Sequence, residues 1–87
     1  MKARTTKSFW KNYSALPPEI RQRSQQAYVL WRDNPAHPSL FFKRVKKSQP
    51  LYSVRIGLGY RALGLLKEDT VTWFWIGTHD KYDQLIK

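Results

Sequence analysis

Cysteine is absent from this sequence, and histidine and acidic residues are scarce. Without cysteine, disulfides, thiolate zinc sites and a cysteine nucleophile are all excluded. The two histidines, His37 and His79, lack the helical spacing of a metalloprotease motif, so we expect no metal and no other cofactor. No apolar run approaches the roughly 20 residues that span a bilayer, and no apolar signal core opens the sequence. These absences predict a cytoplasmic protein with no membrane partner.

The shortage of acidic residues leaves the protein strongly basic. Sixteen Lys and Arg face six Asp and Glu, which gives a net charge of +10 at pH 7. Residues 1–47 hold eleven of the basic and two of the acidic residues, so most of the excess lies in the first half. A field of this sign favours polyanions. We expect a nucleic acid or an acidic protein as partner; the plainer alternative is a basic surface that serves solubility.

The length of 87 residues predicts a single domain that covers residues 1–87. A chain of this size buries only about 60–65% of the surface that it exposes when unfolded, so its core needs large side chains. Four Trp, five Tyr and four Phe supply that bulk.

Two helices are predicted in the first 33 residues. The first has apolar residues at the i, i+4, i+7 spacing of one helix face, namely Phe9, Tyr13 and Leu16. Thr6 or Ser8 can serve as its N-cap. Pro17 ends it, and Pro18 suits the first turn of a second helix that ends near Asp33. His37, between two prolines, belongs to the turn that follows.

Strands are predicted after the helices, at residues 40–45, 51–57, 60–66 and 70–76, and one helical turn can follow near the end. Residues 1–6 predict a frayed end or at most a short edge strand. The order indicates an α+β fold, in which two helices pack on one face of an antiparallel sheet of about four strands and a short C-terminal helix completes the chain.

The turn between the second and third strands decides where two arginines lie. A three-residue loop at 57–59, with Gly59 left-handed, places Arg55 opposite Arg61. The other face then carries a consistent apolar set, Tyr52, Val54, Ile56, Tyr60 and Ala62. A two-residue loop would put Arg61 among those apolar residues, which is a poor position for a charge. Like charges directly across two strands repel, so their pairing indicates an anion between them.

The pattern resembles the RelE/ParE superfamily of bacterial toxin–antitoxin toxins. The resemblance rests on the two helices, the basic strand, Gly59-Tyr60-Arg61 and the late strand that ends in Gly77-Thr78-His79 before Tyr82. It covers the chain from about Phe9 onward. It implies a microbial ribonuclease fold whose RelE-like branch cleaves messenger RNA in the ribosomal A site without metal. The ParE-like branch instead poisons DNA gyrase, and an acidic or amphipathic antitoxin neutralises both.

The sequence also departs from the family pattern. The first strand of many relatives is not evident at residues 1–6. Val54 stands where some relatives carry a lysine, and Trp73 and Trp75 occupy a strand where some carry a further catalytic arginine. Since these tryptophans alternate with Phe74, one set is core, and the other set can stack on a base or contact the antitoxin.

Metal-free cleavage of RNA needs a proton acceptor for the 2′-hydroxyl, positive charge at the phosphate and a proton for the leaving 5′-oxygen. His79 is the candidate general acid or base. Arg55 and Arg61 are the candidate phosphate clamps, because a guanidinium fork matches phosphate oxygens. Tyr82 can orient a base or phosphate through its hydroxyl, or can pack its ring on the sheet. The arginines could instead pair with a carboxylate of Glu68, Asp80 or Asp83.

A basic cluster around the first predicted strand can bind the RNA backbone without sequence choice, and it consists of Lys43, Arg44, Lys46 and Lys47. The resemblance therefore implies a toxin of a type II toxin–antitoxin system that cleaves ribosome-bound messenger RNA, with a cognate acidic antitoxin as partner. The alternatives are a gyrase inhibitor, a catalytically silent relative that only binds, or a small basic RNA-binding module without toxicity.

Overall fold

A computed structural model describes all 87 residues, folded into one mixed five-stranded sheet with three α-helices. The elements follow in the order β1 (Lys2–Thr5), α1 (Lys7–Ser14), α2 (Pro18–Asp33), a 3₁₀ helix (Pro38–Leu40), β2 (Lys43–Arg44), β3 (Leu51–Arg55), β4 (Tyr60–Lys67), β5 (Thr70–Thr78) and α3 (His79–Leu85). The expected α+β fold, with two early helices and a short C-terminal one, is confirmed. None of the helices combines the length and the apolar character needed to cross a membrane.

The sheet differs from the expected one in strand number and in direction. Its order is β1-β5-β4-β3-β2, and β1 runs parallel to β5 while the other neighbours are antiparallel. The prediction of about four antiparallel strands was therefore short by one strand. The first strand, which residues 1–6 did not reveal, is present and pairs from Lys2↔Thr70 to Thr5↔Trp73. Three of its four residues are polar or basic and carry little strand signal, and pairing with β5 stabilises the strand.

The first strand predicted after the helices, at residues 40–45, is much shorter than expected. Leu40 ends the 3₁₀ helix, and Phe41 has a φ of 45°, in the left-handed region. That conformation interrupts an extended chain, so only Lys43 and Arg44 pair with β3. His37 lies in the predicted turn, where its Nδ1 accepts a hydrogen bond from the Ser39 amide at 3.2 Å.

The helices begin where the sequence predicts and α2 also ends there, but α1 ends at Ser14, so Leu16 lies after it and not on it. Thr6 is the N-cap of α1, and its Oγ1 accepts from the Phe9 amide at 3.2 Å. Pro18 opens α2, where the missing amide hydrogen costs nothing. The Asn34 amide donates to the Leu30 carbonyl at 2.8 Å and closes the helix after Asp33.

Trp31 is the centre of the core between the helices and the sheet. It is 2% exposed, and its ring lies 5.5 Å from that of Trp73 and 5.8 Å from that of Phe42. The buried residues of this core are Phe9, Leu16, Trp31, Leu40, Val54, Ile56, Ala62, Val71, Trp73 and Ile76. A smaller cluster of Leu51, Leu63 and Tyr82 lies apart from it, so α3 packs against the opposite face of the sheet.

A bulge in β5 separates the two late tryptophans. Leu63 pairs with Trp75 while the next residue, Gly64, pairs with Trp73, so Phe74 has no partner in β4. An extra residue of this kind reverses the alternation of side chains along a strand. Trp73 therefore belongs to the helix-side core, whereas Phe74 and Trp75 both pack against the smaller cluster. The expectation that Trp73 and Trp75 share a face was wrong, because a strict two-residue period cannot reveal a bulge.

Gly64 is required because Val71 and the Trp73 ring leave no room for a Cβ. A Cβ at this position would lie 2.5 Å from Val71 Cγ1 and 2.8 Å from Trp73 Cε3. We expect Gly64→Ala to lower the free energy of unfolding by about 1–3 kcal/mol through overpacking, as measured by urea denaturation. In a Trp73→Leu background the added cost should be smaller, because the ring contacts are gone while the Val71 contact remains. Strictly additive losses would show that the ring is not the cause.

Candidate functional site

The β3–β4 hairpin has the predicted register, and it places Arg55 directly opposite Arg61. Its loop spans residues 57–59, and both Gly57 and Gly59 have positive φ values, of 59° and 83°. Glycine adopts these conformations without the penalty that a Cβ would add. Paired residues project from the same face of a sheet, so both arginines start from the face opposite the helices.

Arg61 lies at the middle of that face, half-buried. Its Nη1 donates to Ser53 Oγ at 3.1 Å, and its guanidinium lies 5.3 Å from the centre of the Tyr82 ring. The Nε atom is buried and has no hydrogen-bond partner. A buried donor without a partner is costly, so Arg61 is held in this position at an energetic cost.

No carboxylate neutralises Arg61. The ion pairs of the structure are Arg32–Asp33 and His79–Asp83. The alternative in which Arg61 pairs with Glu68, Asp80 or Asp83 is therefore not observed. Its positive charge remains available to an anion.

His79 is the first residue of α3, and the hairpin loop holds its backbone. Its amide donates to the Gly59 carbonyl at 2.8 Å, and Thr78 caps the helix by accepting from the Lys81 amide at 3.3 Å. Its side chain is half exposed, and its Nδ1 lies 3.1 Å from Asp83 Oδ2, one helical turn later. Because the carboxylate occupies Nδ1, the Nε2 atom is free to exchange a proton.

Tyr82 joins the histidine to the arginine. Its ring centre lies 5.5 Å from that of His79, and the Arg61 guanidinium lies over the same Tyr82 ring. The residue is only 4% exposed and packs with Leu51 and Leu63. Of the two readings of Tyr82, the ring packed on the sheet is the one observed; a role for its hydroxyl stays a prediction. Arg61, His79 and Tyr82 thus form one cluster, called the α3 site below.

Arg55 contacts a different set of residues. Its Nε donates to the Gly57 carbonyl at 3.2 Å, and its guanidinium lies 5.3 Å from the centre of the Phe41 ring. The last β2–β3 pair is Lys43↔Ser53, so β3 has an open edge beside Arg55. The side chain reaches toward that edge. Arg55 therefore lies outside the cluster of Arg61, His79 and Tyr82, and a phosphate clamp formed by both arginines stays a prediction.

The basic cluster after the 3₁₀ helix divides into bound and free charges. The Arg44 guanidinium donates to the carbonyls of Lys46, Lys47 and Gln49, at 2.9, 3.1 and 3.2 Å, and so holds their loop together. Lys43 pairs with Ser53 and therefore projects from the face that carries Arg61. Lys43 and Lys47 are exposed, and these two are the charges best placed to meet a polyanion.

The roles of two residues of the site were not predicted from the sequence. Asp83 was considered only as a partner for an arginine, yet its i+4 spacing from His79 on a helix is the signal for the contact observed. Ser53 is fully buried and accepts from Arg61. Its position two residues before Arg55 on the same strand face was the available signal.

Comparisons with known proteins give a consistent result. A family model described as the ParE-like toxin domain matches residues 18–84. The RelE toxin of a RelB–RelE complex from Methanococcus jannaschii is similar in structure, with a TM-score of 0.76, 19% identity and coverage of 97% of this chain and 99% of that one.

A YoeB/ParE toxin from Agrobacterium tumefaciens has a TM-score of 0.71 at 15% identity, with 91% of this chain and 99% of that chain covered. The E. coli RelBE complex gives 0.67 at 14%, with 88% and 94% covered. Identities this low indicate a shared fold. A search of curated protein sequences found no significant match. The family match takes in most of the chain, with the whole α3 site inside it, and the chain belongs to the ParE-like toxin family.

Proposed function

We propose that this toxin is a metal-independent endoribonuclease that cleaves messenger RNA on the ribosome. The observation that supports the proposal best is the α3 site itself. An arginine without a carboxylate partner lies over the same ring as a histidine whose Nδ1 is held by Asp83. An arginine and an imidazole that contact one ring can supply two of the three functions that metal-free cleavage requires, namely positive charge at the phosphate and a proton acceptor.

The proposed reaction assigns one task to each side chain. The Nε2 atom of His79 accepts the 2′-hydroxyl proton while the 2′-oxygen attacks phosphorus. Arg61 stabilises the negative charge that grows on the non-bridging oxygens, and Tyr82 supports its guanidinium from below. The bond to the 5′-oxygen breaks, and that oxygen takes a proton from water. The products are a 2′,3′-cyclic phosphate and a free 5′-hydroxyl.

The proposed protein partner is a cognate acidic antitoxin. An apolar groove of about 630 Å³ lies between α1, α2 and the sheet, and exposed Trp10, Tyr28 and Val29 contribute to its lining or rim. Apolar surface of this kind suits an amphipathic segment, and a net charge of +10 favours one that is acidic. Several structural relatives were solved as toxin–antitoxin complexes, among them those of M. jannaschii and E. coli.

A second candidate is a ParE-like toxin that inhibits DNA gyrase, or a relative that acts by binding alone. One observation favours it. Arg55 does not join the α3 site, so that site has one arginine where the sequence predicted two. The two candidates predict different damage in cells, and the following experiment separates them.

The test is induced expression of Arg61→Ala in bacteria, with wild type and Lys67→Ala as references. Lys67 is exposed and ends β4 at the far end from the hairpin loop, so its removal changes net charge without touching the α3 site. We expect Arg61→Ala to relieve growth arrest, because the loss of such an electrostatic contact lowers a rate by roughly 10²- to 10³-fold. Lys67→Ala should remain toxic.

The readouts are 5′-end mapping of transcripts and induction of the DNA-damage response. Cut messages in the wild type and intact messages in Arg61→Ala support the nuclease. A DNA-damage response with intact messages in the wild type points to gyrase. Growth arrest that persists in a folded Arg61→Ala variant contradicts the proposed role of this residue.

A further inference from the structure

A second cluster of basic groups lies on the other side of the hairpin loop. A pocket of about 360 Å³ opens between α2 and the end of β3, and both Arg23 and Arg55 line it. The aliphatic part of the Arg23 side chain passes over Gly57, where its Cδ would lie 3.0 Å from an added Cβ. Gly57 is therefore also a close-approach position for a side chain from α2.

Neither arginine of this pocket has a carboxylate within ion-pair distance. Two guanidinium groups that border one pocket repel each other, and the repulsion is relieved when an anion lies between them. A guanidinium presents a planar fork of donors that matches the oxygens of a phosphate. Gln26 and Ser39 add neutral hydrogen-bonding groups to the lining, and Leu30 and Leu40 add apolar surface.

An aromatic ring stands beside these charges. Phe41 is 51% exposed, and the Arg55 guanidinium lies 5.3 Å from its ring centre. Its φ of 45° is a strained conformation for a bulky residue. An exposed ring held in this conformation beside a guanidinium can stack on a nucleobase while the arginines hold the adjoining phosphate.

We propose that this pocket, which Arg23 and Arg55 line, and the Phe41 ring that Arg55 contacts together bind one nucleotide of an RNA strand, next to the nucleotide held at the α3 site. The inference rests on the proposed function in its choice of RNA as the ligand. The link between the two sites is Arg55, whose Cα lies directly across the strand pair from that of Arg61. An RNA strand that leaves Arg61 over the hairpin thus meets Arg55 first and Arg23 next.

The experiment measures binding of a fluorescent ten-nucleotide RNA whose 2′-hydroxyls are methylated, so that it cannot be cut through its 2′-oxygens. Fluorescence anisotropy gives Kd at several salt concentrations for the wild type, Arg23→Ala, Phe41→Ala and Phe41→Leu. Lys67→Ala is the charge-matched control, because it removes one positive charge at the far end of β4. Melting temperatures establish that each variant is folded.

We expect Arg23→Ala to weaken RNA binding about tenfold. The slope of the logarithm of the association constant against the logarithm of salt concentration should become less steep by about 0.7, which corresponds to the loss of one phosphate contact to a single strand. Lys67→Ala should change Kd less than twofold, since salt screens a charge that lies more than about 8 Å away. Phe41→Ala should weaken binding about five- to hundredfold with an unchanged salt slope. Phe41→Leu should behave like Phe41→Ala, because leucine lacks a π face.

Equal effects of Arg23→Ala and Lys67→Ala would overturn the proposal, because they would reduce the pocket to part of the general basic field. An oligo-glutamate peptide provides the second arm. If Arg23→Ala weakens the peptide as much as the RNA and Phe41→Ala weakens neither, the pocket accepts an acidic protein segment instead. Binding to uncleavable RNA does not depend on proton transfer by His79. If the protein proves not to cleave RNA, the binding result for the pocket therefore still stands. If the pocket proves not to bind RNA, the proposed cleavage at the α3 site likewise still stands.

Discussion

Replacing His79 with alanine is expected to slow cleavage of ribosome-bound messenger RNA by roughly 10²- to 10⁴-fold, the usual contribution of a positioned acid or base. The fold should survive, because the half-exposed side chain is removed while the amide keeps its hydrogen bond to the Gly59 carbonyl. Single-turnover cleavage on programmed ribosomes, followed by primer extension, measures the rate. His37→Ala is the matched control, since His37 only caps a 3₁₀ helix.

Asp83→Asn tests whether the carboxylate acts through the imidazole. Alone, it should slow cleavage about tenfold or more, because the neutral amide no longer holds Nδ1 as a charged acceptor. Combined with His79→Ala, it should add almost nothing, since its only partner at the site is gone. Independent, multiplying losses would show that Asp83 acts elsewhere. Wild-type rates in His79→Ala would exclude the proposed proton transfer altogether.

Trp31→Ala is expected to cost about 3–5 kcal/mol in the free energy of unfolding, the range for truncating a buried aromatic residue. The ring is 2% exposed and contacts both Phe42 and Trp73. The total stability of a domain this size is on the order of 4–13 kcal/mol, so the variant should lose a large share of its folded population at 37 °C. Urea denaturation at 25 °C measures the change.

Trp31→Phe is the informative companion. The Nε1 atom of Trp31 is buried without a hydrogen-bond partner. Phenylalanine removes that unsatisfied donor while it keeps an aromatic ring in the core, so we expect less than half of the alanine loss. A loss in Trp31→Ala below about 1 kcal/mol would mean that the two helices contribute little to stability through this contact.

The elements that the sequence predicted well depend on residues close together in the chain. The two helices follow from apolar spacing with Thr6 and Pro18 at their starts. The hairpin register follows from one three-residue loop, because only that register kept Arg61 out of the apolar face. In both cases the deciding interactions lie within a few residues of each other.

The elements that the sequence did not predict depend on distant or irregular contacts. The strand at Lys2–Thr5 is stabilised by a partner 68 residues away. The left-handed Phe41 and the unpaired Phe74 break the two-residue period on which strand prediction relies. The direction of the Arg55 side chain depends on the open edge that a short β2 leaves. None of these features can be predicted from the spacing of apolar and polar residues along the chain.

The parallel pairing of the first strand with the fifth has a consequence for synthesis. Lys2–Thr5 is made early, but the strand that it joins is completed only at Thr78, immediately before His79. Contacts of such long sequence separation form late. A chain that ends before residue 70 therefore lacks both the strand that pairs with Lys2–Thr5 and the candidate proton carrier His79. Interrupted translation, the state that this toxin itself is proposed to cause, is thus expected to yield fragments of it that lack the α3 site.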